Sequence, residues 1–308
     1  MIISSRMKRI LFCFNFLLFI LSFSSANAQI SKSEIQALTD LYNSTSGDEW
    51  TFSWDLNTTP DSWHGVTIMN NHVVALNLHK NNLQGTIPES IKELKEIEVL
   101  NLAFNKLTGE LPLEVVKLGE LKVLKLEMNR LKGTIPKLIG SLSNLQELVL
   151  FNNMFEGSIP ESIGEAKNLE VLNLSSNFLK GNMPITMENL TKLKSLELFG
   201  NKLNGTIEVD LGKLKQLSHL VLAYNNFEGA APEGLEKLEG LEFVQLQGNK
   251  FNSYENLQEL KMDALATFDS DNISLNTKYN PTRSNAKGVK SRETKETRMA
   301  DTKFEKEN

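Results

Sequence analysis

Four histidines, 38 carboxylates and one cysteine are the side chains of this chain that could carry metal, acid–base or thiol chemistry. Their spacing assembles none of it. His64, His72, His79 and His219 show no metal-ligand pattern, and there is no H-E-x-x-H, G-x-S-x-G or phosphate-cradling glycine loop. The acidic residues read as scattered solvent charges, so neither an enzyme nor a cofactor is expected. What recurs instead is asparagine. Asn81, Asn105, Asn129, Asn153, Asn177, Asn201, Asn225 and Asn249 follow one another at a constant interval of 24 residues. A carboxamide offers both donors and an acceptor, so a stack of them can pair backbone groups that a turning strand would otherwise bury unpaired.

The frame around these asparagines dictates the elements. Eight copies begin at Val73, Ile97, Leu121, Leu145, Leu169, Leu193, Leu217 and Leu241, each close to L-x-x-L-x-L-x-x-N-x-L-x-G-x-I-P-x-x-I-x-x-L-x-x. Self-similarity at this period is the signature of a leucine-rich-repeat solenoid. The L-x-L segment alternates like a half-buried strand, which turns Leu100 and Leu102 inward and Val99, Asn101 and Ala103 outward. Seven glycines (Gly85 to Gly229) mark a tight or left-handed bend. Prolines such as Pro88 and Pro112 then fix φ and delay the return leg, whose apolar pair (Ile91 and Leu94 in the first copy) suits a short helix or 3-10 turn. Ordering one coil costs about 1–2 kcal/mol per residue, more than its few buried side chains return. Only a capped stack is stable. The expected fold is an α/β solenoid, a horseshoe of about eight 24-residue repeats over residues 73–252, with a parallel concave sheet and short helical or 3-10 convex returns.

Outward strand residues have no duty in this grammar, yet several are large and apolar. Phe104, Met128, Phe151, Phe199 and Tyr224 are therefore the expected partner-binding residues of the concave face. The charges around them have mixed sign (Lys125, Glu127, Glu147, Lys194, Glu197), which suits a protein or peptide better than a polyanion.

Residues 1–28 read as a secretory signal peptide. Arg6, Lys8 and Arg9 precede an apolar run over 10–23, and Ala26-Asn27-Ala28 is a small-x-small cleavage site. The run is shorter than the roughly 20 residues that span a bilayer, so no stable transmembrane segment is expected after cleavage. Cys13 lies inside it, leaving an exported chain without thiol or disulfide. Losing the three cations takes the formal charge from −5 to −8, which argues against nucleic acid as partner. Residues 29–72 are the expected N-terminal cap, with a helix over 33–42 that Ser31 or Ser33 starts, and with Trp50, Trp54 and Trp63 plugging the first coil. Helical spacing of Leu257, Leu260, Leu265 and Phe268 predicts a helical C-terminal cap over 253–268, and 269–308 reads as a disordered polar tail.

The run A-L-x-x-L-Y-N-S-T-x-G-D-x-W over 37–50, then W-x-G-V-T over 63–67 and the N-x-L-x-G-x-I-P coils, resembles the extracellular leucine-rich-repeat family of plant type. It is most similar to small exported members of Bacteroidetes-type bacteria. In plant members two cysteines usually flank the tryptophan motif; here Asp61 and Ile68 take those places, which favours a bacterial source. The resemblance covers residues 33 to about 262. The expected function is an exported, non-catalytic module binding a protein or peptide on its concave face. Its place is the periplasm, the cell surface or the medium. Surface glycan binding and a structural envelope role are the alternatives.

Overall fold

The computed structural model describes residues 30–260 and 265–270. The expected signal peptide and all but the first two residues of the expected polar tail lie outside the described residues. The chain is a leucine-rich-repeat solenoid whose strands stack side by side, one per coil. The main sheet has ten strands. Val66–Met69 pairs antiparallel with His72–Asn77. Parallel strands follow at Val99–Asn101, Val123–Lys125, Glu147–Val149, Val171–Asn173, Ser195–Glu197, His219–Val221 and Phe243–Gln245. The register is uniform: Leu76, Leu100, Leu124, Leu148, Leu172, Leu196 and Leu220 lie side by side. All seven are fully buried, so a continuous apolar column runs through the stack.

The asparagines supply the hydrogen bonds that the turning strand needs. Asn153 Oδ1 accepts from Leu131 N–H of the preceding coil at 3.0 Å, while its amide donates to Leu126 O at 2.9 Å and Leu150 O at 3.1 Å. The same three contacts recur at Asn129, Asn177, Asn201, Asn225 and Asn249. Asn81 has no coil before it. Its Oδ1 accepts from Phe52 N–H at 2.7 Å, so the backbone of the N-terminal segment stands in for the missing coil.

A second layer of strands follows each asparagine. Gln84–Gly85 pairs with Lys106–Leu107, and a six-stranded sheet joins Lys132–Thr134, Met154–Gly157, Phe178–Gly181, Lys202–Thr206, Asn226–Ala230 and Lys250–Ser253. This stretch, expected to fill the core and turn, is thus also a strand. Its signal was present, because Leu107, Gly109 and Leu111 are two apart, the period of a strand. The glycine of each coil here has positive φ, as the expected bend requires. The returns are one-turn 3-10 helices, such as Glu89–Glu93, Leu113–Lys117, Glu161–Glu165 and Ile185–Asn189, each preceded by its proline. Glu208 replaces that proline in the sixth coil, whose return, Leu211–Lys213, is as short as Ile139–Ser141 and Leu235–Lys237. There Asp210 caps it, its carboxylate accepting from Gly212 N–H at 3.0 Å.

At the N-terminal end the helix α1, Lys32–Ser44, begins in a capping box between Ser31 and Glu34. Glu34 is buried, and its second oxygen accepts from Val73 N–H at 3.0 Å, tying the helix start to the first coil. The three tryptophans are buried, each indole N–H on a backbone carbonyl (Thr45, His64 and Asp55). Trp54 stacks on Trp63 at 4.8 Å and meets Trp50 edge-on at 4.9 Å.

Two expectations are corrected. The described residues of the expected helical cap over 253–268 depart from a continuous helix: one 3-10 turn, Glu255–Leu257, and a strand, Thr267–Asp269, that extends the main sheet in register with Phe243–Gln245, while 261–264 lie outside the described residues. The spacing of Leu265 and Phe268 that suggests a helix also fits a coil placing both against the core. Ala103, expected to face out, is fully buried. Strands are about 4.8 Å apart, so larger side chains of adjacent coils close over a methyl group.

Candidate recognition face on the main sheet

Four positions per coil look away from the core on the strand side: the third, fifth, seventh and eighth. The seventh and eighth lie past the strand end, yet they extend the ladder. Phe104 N–H donates to Glu127 O at 2.9 Å, Met128 N–H to Phe151 O at 3.0 Å and Tyr224 N–H to Gln247 O at 2.8 Å. The eighth residue bends back to deliver its asparagine. In all eight coils it has positive φ: Lys80, Phe104, Met128, Asn152, Ser176, Gly200, Tyr224 and Gly248. That conformation suits glycine and asparagine and is unusual for a bulky side chain. Gly200, Gly248 and Asn152 at this offset are the sequence signal for that conformation.

The five expected contact residues thus belong to two rows. Phe104, Met128 and Tyr224 occupy the left-handed eighth position, whereas Phe151 and Phe199 occupy the seventh. Phe104 and Tyr224 are exposed; Met128, Phe151 and Phe199 are half-buried. The structure does not gather them into one cluster, and only Phe199 and Tyr224 form a ring pair among the five. Phe199 meets Tyr224 edge-on at 5.2 Å, and Phe104 lies 5.0 Å from the His79 ring. Gly248 makes the first pair possible, since a Cβ there would stand 2.7 Å from Tyr224 Cδ1. Between the pairs, Asn152 donates its amide to Met128 Sδ at 2.7 Å. A third ring pair was not foreseen. His219 stacks on Phe243 at 5.9 Å, although residues 24 apart in this frame are always neighbours.

The charges pair across coils. Lys125 reaches Glu147 at 2.6 Å and Lys194 reaches Glu170 at 2.6 Å. Asn173 donates to Glu197 at 2.7 Å. Glu127 stands apart, buried and without an ion-pair partner among the described residues. Burial pushes its carboxyl above the usual carboxylate range and Glu147 adds to the rise, against a backbone hydrogen bond and Lys125, which pull it down. No group of three or more metal-ligating side chains occurs among the described residues, and no described helix is long and apolar enough to cross a membrane.

Coil, asparagine ladder and parallel sheet together define a leucine-rich-repeat solenoid. The Leucine Rich Repeat family pattern matches residues 72–94, 96–118, 144–166 and 168–190. No curated protein matches the chain. Among solved structures, it is similar to the ectodomain of the plant membrane receptor kinase GASSHO1/SCHENGEN3 from Arabidopsis thaliana, solved in complex with CASPARIAN STRIP INTEGRITY FACTOR 2. That match has 32% identity and TM-score 0.69, over 73% of this chain and 28% of that one. The plant peptide hormone receptor RGFR1 in complex with RGF2 matches at 32% identity and TM-score 0.54, over 56% of this chain and 28% of that one. The Arabidopsis receptor kinase HAESA ectodomain, in complex with an IDA peptide hormone ligand, matches at 28% identity and TM-score 0.61, over 75% and 44%. The chain thus spans between 28% and 44% of the length of these solved receptor chains.

Proposed function

We propose that this chain is an exported, non-catalytic leucine-rich-repeat module that binds a peptide or protein on its concave face, the side of the main sheet that looks away from the core. The observation that carries the reading is the pair of exposed bulky residues, Phe104 and Tyr224, at a left-handed backbone position. The coil needs only a small residue there, and a large side chain in that conformation stores strain that folding does not require. Such strain accompanies binding surfaces, as do exposed aromatic groups. Support also comes from the plant neighbours, two of which are described as holding peptide hormones. Asp61 and Ile68, in the places of the plant-type cysteines, and the signal-like leader support an exported bacterial module over a plant receptor. A protein or peptide partner should depend on Phe151, Phe199 and Tyr224 and be protease-sensitive, whereas a glycan should survive protease.

The test is a pull-down from envelope extract and spent medium with the full chain as bait, beside a variant carrying Phe151→Ser, Phe199→Ser and Tyr224→Ser. A protease-sensitive ligand retained by the wild type and lost by an equally folded variant supports the reading. Equal retention by both baits, or a ligand that survives protease, overturns it.

A further inference from the structure

Most buried polar side-chain atoms in folded proteins are paired. Among the described residues, four are buried without a partner: Ser90 Oγ, Glu127 Oε2, Ser175 Oγ and Gln247 Oε1. Three of these four, all but Ser90, share the seventh position of the coil, in the third, fifth and eighth repeats. They lie on one line that crosses the main sheet at right angles to its strands, beside the exposed rings of Phe104 and Tyr224. Strands are spaced at about 4.8 Å, which places Glu127 and Ser175 roughly 10 Å apart.

Glu127 is the strongest of the three. The residue is only 9% exposed although it stands on the open face of a sheet. The nearest cation along its own strand is already engaged, because the Lys125 ammonium lies 2.6 Å from Glu147. On either side, the neighbouring coils carry rings. Phe104 is anchored by its N–H to the Glu127 carbonyl, and Phe151 occupies the same seventh position one coil on. An acceptor oxygen without a donor, on a face whose neighbouring coils carry aromatic residues, has the chemistry that receives an ammonium or guanidinium group. The carboxylate supplies a charge-assisted hydrogen bond and the rings supply cation–π attraction.

Granting the peptide-binding reading above, we propose that the seventh-position line is a hydrogen-bonding subsite for an extended peptide, in which Glu127 receives the side chain of a ligand Lys or Arg. Ser175 and Gln247 face later residues of the same peptide. Ser175 takes either a donor or an acceptor, and Gln247 Oε1 takes a backbone N–H.

The experiment uses the full chain and a positional-scanning library of N-acetylated, C-amidated nonapeptides. One position at a time is fixed as Arg, Lys, citrulline or norleucine. A second library has free N-termini. Binding is read by fluorescence polarisation. The expected result is a preference for Arg or Lys over its neutral analogue at one fixed position, by about tenfold, as befits one charge-assisted hydrogen bond. In Glu127→Gln that preference disappears, the Arg peptide falling to the level of its citrulline counterpart, while the melting temperature shows that the coil stays folded. If peptides bind through Phe199 and Tyr224 with no preference for a cation, or with one that survives Glu127→Gln, the subsite inference fails and the peptide-binding reading stands. A Glu127-dependent signal confined to free N-termini overturns the side-chain assignment. Binding of no peptide by the wild type removes the subsite inference and the peptide reading, and leaves only a protein partner for the pull-down to show.

Discussion

At the residue scale, Glu127 links surface chemistry to stability. Its carboxyl is raised by burial above the usual range, so between its ordinary and its raised value the folded state holds a proton that the unfolded state has lost. Stability must then fall as pH rises through that window. Lys125, Glu147 and the backbone hydrogen bond set where the window lies. The expected outcome is that Glu127→Gln melts higher than the wild type at about pH 7 and that the gap closes toward about pH 4, where the free carboxyl is itself half protonated. A gap independent of pH would contradict the assignment. Asn153 acts in the opposite direction. Asn153→Ala removes the acceptor for Leu131 N–H and the donor to Leu126 O and Leu150 O, all buried. On the order of 3 kcal/mol should be lost, with the Leu131 amide showing the largest gain in hydrogen-exchange rate.

At the element scale, two joints replace the regular coil grammar. In the sixth coil, Asp210 does by hydrogen bond what proline does elsewhere by ring geometry. Asp210→Ala should cost about 1 kcal/mol, as for other lost caps, and should loosen the amides of Leu211–Lys213 first in hydrogen exchange. At the other joint, the end of α1 meets the first coil at Gly85, where a Cβ would lie 2.0 Å from Ser44 O, and φ is +126°. Gly181 also has positive φ, but its Cβ would meet nothing nearer than Ser158 Cβ at 3.7 Å. Gly181→Ala should cost about 1 kcal/mol for conformation alone. Gly85→Ala must also move backbone and should cost more. Urea denaturation of the two variants side by side decides this; equal losses would mean that the joint is not tight.

At the scale of the whole molecule, each coil touches only its neighbours, so stability is a sum along one dimension. The two ends are built differently. The N-terminal end is closed by α1 and the Tyr42, Trp50, Trp54 and Trp63 rings, whereas the last described element is an added strand, Thr267–Asp269. Trp54 sits at the centre of the ring cluster. Trp54→Ala should cost about 3–5 kcal/mol and should unravel the stack from its first coil. Exchange protection is expected to vanish at Leu76 and Leu100 while it persists at Leu196 and Leu220. Uniform loss along the chain would show that the repeats melt as one unit.

Whatever a coil can specify within its own 24 residues is readable from the amino acids alone. The inward leucines, the asparagine, the glycine bend and the proline stop are set by backbone conformation and side-chain period, both local. Hence the solenoid, the strand register and the 3-10 returns were legible, as was the burial of the tryptophans. What depends on two coils meeting emerges with the folded stack. Whether Ala103 is covered, whether Phe199 reaches Tyr224 and whether Glu127 keeps an oxygen without a donor are each settled by residues one repeat away. Stacking at strand spacing, not sequence proximity, sets those contacts. The same reason explains the last strand: residues 267–269 pair because the sheet before them offers an open edge, and no periodicity in the segment itself records that edge.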